Sequence, residues 1–403
     1  RFSEASGHYY ALAKIMRVYI MQIIATMQGP LPYTKVESGQ YSVGYDNEET
    51  AWKAMMDDLD YSIGVLTALM NTDPSFNELT TEDRIYQGDY KKWIKFANSL
   101  KLRIAIRISN AVPEYAQEKA EEAVSHPYGV MDSNDCDAYD NITATNYKNG
   151  LASVNSWGEV RANACIVSFM NGYQDPRCEA YFTKSSASGD YDYIGVRSGI
   201  QGITTSMFST YSTVKVETKT PMLIFNAAEV AFLRAEGALK KWNMGGTAEE
   251  FYKEGIRLSF NEHGISGADA YIANNTNVPA DYICPLNAAY NYTNPCKLTV
   301  AWDKTGANAD EDNLQRILTQ KMIANFPIGN ETWADFRRTG YPAVFPAHDN
   351  LSTQGVTKER QQRRLRFSED EYNSNGANVT EACTFLSNGQ DTDATDLWWA
   401  KKD

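Results

Sequence analysis

The chain has 403 residues, of which 43% are hydrophobic and 12% aromatic, so it can fill a sizeable core. Its formal net charge is −13, and its Lys and Arg residues form no run that could follow a phosphate backbone, which excludes nucleic-acid binding as a working hypothesis. No apolar run reaches the length of a membrane span, and we interpret residues 18–27 as a buried helix face.

The N-terminal part, residues 1–124, carries apolar residues at helical spacing and predicts four helices. The first ends at the Gly-Pro turn of residues 29–30. Asp46 and Glu49 fit a capping box at the start of the second helix. The third begins near Asp89, and Pro113 separates it from the fourth. The predicted helices cover residues 4–27, 46–66, 89–108 and 114–124.

The next part, residues 125–225, is rich in Tyr, Asn, Ser, Gly and Asp and loses the helical period. We expect a loop-rich region with one helix near residues 163–172. Short β segments are expected near residues 191–196 and 213–217.

Helical periodicity returns in residues 226–340, where two helices form an antiparallel pair across a Gly-Gly turn. Small side chains on the first (Ala231, Ala235, Ala238) would face aromatic ones on the second (Phe251, Tyr252, Phe260). Such packing is typical of tetratricopeptide-like arrays, although no strict repeat is visible. Further helices are expected near residues 267–274 and 311–324, and the part from 341 to 403 is predicted to be irregular.

Together these patterns predict a mainly α fold. It would consist of degenerate tetratricopeptide-like helix pairs and a large loop-rich, minor-β ligand-binding region, in a single domain over residues 1–403.

Signatures of catalysis are weak. The four histidines are scattered, and neither HExxH nor GxSxG occurs. The acidic loop of residues 132–140 offers oxygen ligands for Ca²⁺ but lacks the EF-hand glycine and closing Glu, so a solvated loop is favoured and no metal site is predicted. The six cysteines have no zinc spacing; a Cys284–Cys296 disulfide and free thiols both remain open.

Five segments, taken in chain order, resemble the SusD/RagB family of Bacteroidetes outer-membrane lipoproteins. They are Gly-Pro-Leu-Pro-Tyr at residues 29–33, Asp-Asp-Leu-Asp at 57–60, the third-helix segment at 93–103, the Ala-Glu-rich helix at 228–236, and residues 320–342. Pro30 stands where the family commonly has Asp, and the family's lipid-bearing N-terminal Cys is missing from this chain.

The resemblance implies a cell-surface protein of the outer membrane, held there by an N-terminal lipid in the full-length precursor. Such a protein captures glycans and hands them to a TonB-dependent transporter of the SusC type. The resemblance implies neither catalysis nor an organic cofactor.

Aromatic side chains in irregular, polar segments can stack on the apolar faces of sugar rings. On this basis the predicted ligand-binding residues are Trp157, Tyr191, Tyr193, Tyr290, Tyr292 and Trp302. Residues 320–342 are instead predicted to brace the helical scaffold. There we expect buried Ile323, Phe326, Trp333 and Phe336, with Arg337 or Arg338 bonding helix-end carbonyls.

Two alternatives remain at this point. A peptide-binding member of the same family would need backbone-pairing groups or a charged cleft. An extracellular glycoside hydrolase would need two carboxylates that face each other across a cleft.

Overall fold

The computed structural model describes residues 5–36 and 39–400, and these residues form a mainly helical fold, which confirms the predicted class. Two short strands, β1 (Ala138–Asp140) and β2 (Met222–Phe225), pair antiparallel. The helices in the described part of the chain are α1 (Gly7–Gln28), α2 (Glu48–Thr72), α3 (Tyr90–Ile108), α4 (Pro113–Ser125), α5 (Gly150–Ser156), α6 (Ala164–Tyr173), α7 (Cys178–Tyr181), α8 (Ala227–Leu239), α9 (Ala248–Glu262), α10 (Ala268–Ile272), α11 (Ala309–Ala324), α12 (Gly329–Thr339) and α13 (Glu369–Cys383).

The N-terminal helices follow the apolar periodicity, with one error in capping. The third helix begins at Tyr90, next to Asp89 as predicted, and Asp89 caps it by accepting hydrogen bonds from the amides of Lys91 and Lys92 at 3.1 Å each. The capping box predicted for α2 is wrong, because Asn47 is the N-cap. Asp46 instead accepts two hydrogen bonds from Thr34 and so ties the loop before α2 to its start. The predicted start of the first helix at residue 4 lies outside the described residues.

The loop-rich middle holds α6 close to its predicted position, but its β segments differ from the prediction. Residues 191–196 and 213–217 form only isolated bridges, Asn163 with Val196 and Phe182 with Val214. The two-stranded sheet lies instead at the two ends of this region, where β1 meets β2. The predicted irregular tail is also wrong in one place, because α13 occupies residues 369–383.

Helices that follow one another in the chain pack side by side: α1 on α2, α2 on α3, α3 on α4, and α8 on α9. In the α8–α9 pair an aromatic ring packs on a small residue, but this contact reverses the predicted order. The aromatic residue, Phe232, belongs to α8, and the small one, Gly255, belongs to α9. A Cβ atom at Gly255 would come within 2.7–2.9 Å of the Phe232 ring. The tetratricopeptide-like character and the division of the chain into four parts remain predictions.

A set of eight buried charges joins the two helical parts, and we name it the buried ion network. It contains four cations and four carboxylates, so its formal charges cancel. Its members lie on α3, α8, α11 and α12 and are Arg103, Arg107, Lys321, Arg338, Glu229, Glu236, Glu331 and Asp335.

Glu229, which is fully buried, is the centre of this network. Its carboxylate accepts a bidentate pair from Arg103 at 2.9 and 2.8 Å. It also accepts a hydrogen bond from Asn325 at 2.9 Å and lies 3.4 Å from the Lys321 ammonium. Buried charges are tolerated only when they are paired and hydrogen-bonded, so this geometry fixes α3, α8 and α11 against one another.

The segment of residues 320–342 braces the scaffold much as predicted. Ile323 and Phe336 are buried, whereas Phe326 and Trp333 are only partly buried. The Arg337 guanidinium donates to the carbonyl of Thr26 at 2.8 Å, in the last turn of α1. A helix leaves its last four carbonyls without intrahelical donors, so this contact confirms the expected helix-end role for Arg337.

Among the described residues, α1 is the one helix long and apolar enough by composition to cross a membrane, and a third of its most apolar window is buried. It also packs on α2, α3 and α12 as part of the folded domain.

Candidate functional site

The predicted binding residues differ widely in exposure. Trp157, which directly follows α5, is the most open, with 66% of its surface exposed, and Tyr191 is 43% exposed. Tyr193 is partly buried. Tyr191 and Tyr193 line one small pocket of about 190 Å³ together with residues of the loop that contains Tyr282.

Tyr290 and Tyr292 lie on that neighbouring loop, because Tyr292 pairs with Tyr282 in an antiparallel bridge. The Arg197 guanidinium lies 4.5 Å from the centroid of the Tyr292 ring. The Phe345 ring also packs on Tyr292, with the two ring centroids 4.7 Å apart. The structure therefore gathers Tyr191, Tyr193, Tyr290 and Tyr292 into two adjoining loops, which we name the tyrosine loops.

Trp302 lies apart from the tyrosine loops. Its ring packs on Tyr252 of α9 with a centroid distance of 5.2 Å, and it is partly buried. The six predicted residues thus do not form one surface, and their role in binding remains a prediction.

A cleft of about 820 Å³, which we name the central cleft, lies where the loop-rich region meets both helical parts. It contains none of the six predicted aromatics. Most of its wall is aromatic or aliphatic, and amide and charged side chains occur around it. Its lining includes Tyr19, Arg84, Gln87, Asp137, Tyr139, Asn141, Asn149, Gly150, Tyr181, Lys215, Leu223, Glu262, His263, Phe326 and Asn330.

Two ionisable groups of the central cleft have strongly shifted pKa values. Burial raises the pKa of Glu262 to about 8, and its carboxyl shares hydrogen bonds with the Tyr139 hydroxyl and, at 3.1 Å, the Asn226 amide. Burial lowers the pKa of the adjacent His263 to about 4. At neutral pH the Glu262 carboxyl is therefore mostly protonated and the His263 imidazole is neutral.

Asp137 also lines the cleft, and burial raises its pKa to about 6. Its carboxylate accepts a hydrogen bond from the backbone amide of Ala227 at 2.7 Å, at the first turn of α8. Asn134 donates a second hydrogen bond at 2.8 Å. The helix N-terminus and the Asn134 amide offset only part of the burial penalty on the negative charge, so the pKa stays raised.

Gln87 stands at the cleft with an unusual backbone conformation. Its φ angle is 54°, in the left-handed region, where a residue other than glycine costs on the order of 1–3 kcal/mol. Asp83 holds this turn by accepting hydrogen bonds from the amides of Ile85, Tyr86 and Gly88. Strained positions of this kind cluster at functional sites.

A second cavity, of about 340 Å³, adjoins the central cleft. The segment of residues 326–328 lines both spaces, so it forms the partition between them. The stretch predicted to be a scaffold brace thus also lines concave surface, which the sequence analysis missed. No local signal marks it, because the lining comes from segments far apart in the chain.

The acidic loop does not converge on a metal site. Asp132 pairs with Lys95 at 2.6 Å, and Asp140 accepts two hydrogen bonds from Arg84. Within residues 5–36 and 39–400, no group of three or more His, Cys, Asp or Glu side chains is placed to hold a metal. The six cysteines, which all belong to the described part of the chain, are free thiols.

A family model described as SusD-like, Susd and RagB outer membrane lipoprotein, matches residues 2–400. The chain is 48% identical to a SusD-like protein from Bacteroides thetaiotaomicron, with a TM-score of 0.95 over 100% of this chain and 83% of that one. A chitin-binding SusD homolog from Flavobacterium johnsoniae is 38% identical, with a TM-score of 0.93 over 98% of this chain and 81% of that one. A SusD homolog from Bacteroides uniformis is 41% identical, with a TM-score of 0.88 over 98% and 81%. No curated protein matches the chain.

Proposed function

The chain belongs to the SusD-like family of outer membrane lipoproteins, and from that premise we propose that it captures carbohydrates at the cell surface. Proteins of this family are binding proteins rather than enzymes. The similar chitin-binding protein from Flavobacterium johnsoniae supports a glycan as the ligand. A lipid anchor in the full-length precursor would hold the protein at the outer membrane.

The observation that carries the proposal is the exposure of Trp157. An indole with 66% of its surface open to solvent presents an apolar face that costs free energy in water. Stacking against the C–H face of a sugar ring covers that surface without any rearrangement of the fold. Tyr191, 43% exposed on the tyrosine loops, offers a second face of the same kind.

We further propose that the bound oligosaccharide passes to a TonB-dependent transporter of the SusC type. The family membership supports this step. Its test is co-purification of the lipidated protein from native outer membranes; recovery without any such transporter would refute the partnership.

The binding proposal is tested with a glycan array followed by calorimetry on the wild type and on Trp157→Ala. Removal of a central aromatic contact typically costs at least about 1–2 kcal/mol of binding free energy, so we expect Kd to rise about tenfold or more. Tyr41→Ala is the matched control, because Tyr41 is fully exposed and lies in the N-terminal part. An unchanged Kd for Trp157→Ala would remove Trp157 from the site, and the absence of any carbohydrate ligand would refute the function.

A further inference from the structure

The central cleft has the dimensions of a ligand site that the exposed aromatics do not account for. Its volume of about 820 Å³ falls within the range of roughly 300–1,000 Å³ in which small molecules bind. A space of this size between helical parts, apolar in its walls and polar at a few points, is the usual form of an enclosed site.

One wall of the cleft is a fixed aromatic surface. The rings of Tyr181 and Phe326 have centroids 5.0 Å apart and are inclined by 32°. His263 holds Tyr181 from its edge at 4.9 Å, and the Tyr19 hydroxyl is fixed by a hydrogen bond to the carbonyl of Ile224 at 3.2 Å. Tyr181 is only 4% exposed and Phe326 is partly buried, so a ring-shaped ligand would pack against the small part of this wall that faces the cleft. Because neighbouring groups already hold these side chains, that contact would cost little further side-chain entropy.

Of the charged groups around the cleft, Arg84 is paired with a carboxylate, whereas Lys215 donates, among the described residues, only to a backbone carbonyl. Arg84 donates two hydrogen bonds to Asp140 at 2.6 and 2.7 Å, and the Lys215 ammonium donates to the carbonyl of Glu179 at 3.1 Å. The Glu262 carboxyl is mostly protonated at neutral pH because burial raises its pKa to about 8. An uncharged ligand can therefore enter the cleft without breaking the Arg84–Asp140 pair and without adding a charge to its interior.

Gln87 supplies the polar contact that such a ligand requires. Gln87 lines the cleft and is exposed to solvent, so its side-chain amide is accessible to a ligand. The turn organised by Asp83 keeps the residue in the left-handed conformation. A side-chain amide can both donate to and accept from the hydroxyl groups of a sugar.

We propose that the central cleft is a second binding site, which takes an uncharged sugar ring between the Tyr181–Phe326 wall and the Gln87 amide. The inference rests on the proposed function in that the ligand is a carbohydrate. It adds a second site to that function.

The first test fills the cleft without disturbing the fold. Gly150, at the start of α5, lines the cleft, and a Cβ atom there would meet nothing within 4 Å. Gly150→Leu therefore adds an aliphatic side chain at a position that lines the cleft, without a steric clash. Gly64→Leu is its matched control, because Gly64 has equally open space on α2, outside the cleft.

The titrations use triacetylchitotriose, an uncharged trisaccharide. We expect the wild type and Gly64→Leu to bind two trisaccharides per chain and Gly150→Leu to bind one. Trp157→Ala is expected to keep one site, the central cleft. Wild-type stoichiometry and affinity in Gly150→Leu would overturn the inference while leaving the proposed function intact. No binding of any carbohydrate by the wild type would instead refute the proposed function.

The second test separates the role of Gln87 in binding from its role in the fold. Gln87→Gly removes the amide and relieves the left-handed backbone, so we expect cleft affinity to fall about tenfold while thermal stability is kept or raised. Lys241→Gly is the matched control, because Lys241 has a φ angle of 67° in the turn between α8 and α9, outside the cleft. It should gain stability without any change in affinity. Wild-type affinity in Gln87→Gly would refute the assigned contact.

Discussion

Glu229→Gln tests the buried ion network with almost no change in side-chain shape. The substitution removes one of four negative charges and leaves four cations with three carboxylates in the interior. Arg103 loses its bidentate partner, at 2.9 and 2.8 Å, and Lys321 loses a carboxylate at 3.4 Å. Removing one partner of a buried ion pair typically lowers the free energy of unfolding by about 3–5 kcal/mol, and we expect Glu229→Gln to lower it by an amount in this range.

The assay is urea unfolding followed by circular dichroism. With a urea dependence of about 3 kcal/mol per molar, the midpoint should fall by about 1–1.7 M. The matched control is Asp192→Asn, which breaks the pair of Lys184 and Asp192, 2.7 Å apart with both side chains 66% exposed. An exposed pair is worth about 0–1 kcal/mol, so the control should unfold close to the wild type.

A double variant sharpens the test. Arg103→Met together with Glu229→Gln leaves three cations and three carboxylates, so the formal charges balance again. We expect the double variant to be more stable than Glu229→Gln alone, because the stranded cation is gone. A loss below about 1 kcal/mol for Glu229→Gln, or a double variant no more stable than the single one, would refute the reasoning.

Three further outcomes are expected from denaturant titrations. The pKa of Glu262 is raised to about 8, so the folded state keeps a proton that the unfolded state releases near pH 4.5. The free energy of unfolding of the wild type should therefore fall as pH rises from about 5 to 8, and that of Glu262→Gln should not. The same pH dependence of stability in both proteins would contradict this expectation. Burial opposes the ionisation of Asp335, but the charges of Lys321 and Arg338 outweigh it and lower its pKa to about 2. The difference in stability between the wild type and Asp335→Asn should therefore shrink as pH falls from about 4 to 2. A difference that stays constant over this range would contradict the assignment. Gly255→Ala should cost about 1–3 kcal/mol, since its Cβ would meet a buried ring at 2.7–2.9 Å, and wild-type stability would show that the ring yields freely.

The sequence predicted the long helices well because their apolar residues recur with the helical period. The period of α3 continues through Trp93, Phe96 and Leu100, and all three are buried. The apolar pattern did not indicate α13, which contains three Asn and a Gly and buries little. Ser368 nevertheless caps this helix by accepting a hydrogen bond from the amide of Glu371. Asn47 was overlooked as a cap because Asp46 beside it is an equally good capping residue.

The central cleft had no comparable signal. Its lining comes from α1, α7, both strands, the start of α5, the end of α9, the first turn of α12 and several loops, so no single stretch of sequence is enriched in its residues. The left-handed backbone of Gln87 depends on the side chain of Asp83, four positions earlier, and residue type alone does not predict it. The raised pKa of Glu262 likewise arises from burial among distant segments.

The buried ion network also has a consequence for how the chain can fold and vary. Its charges come from positions between 103 and 338. A folding intermediate that buries only some of these helices would therefore contain unpaired charges in an apolar interior. The network therefore forms completely only when both helical parts of the chain are in place. It favours all-or-none assembly, and any change of charge at one of its positions requires a compensating change at another.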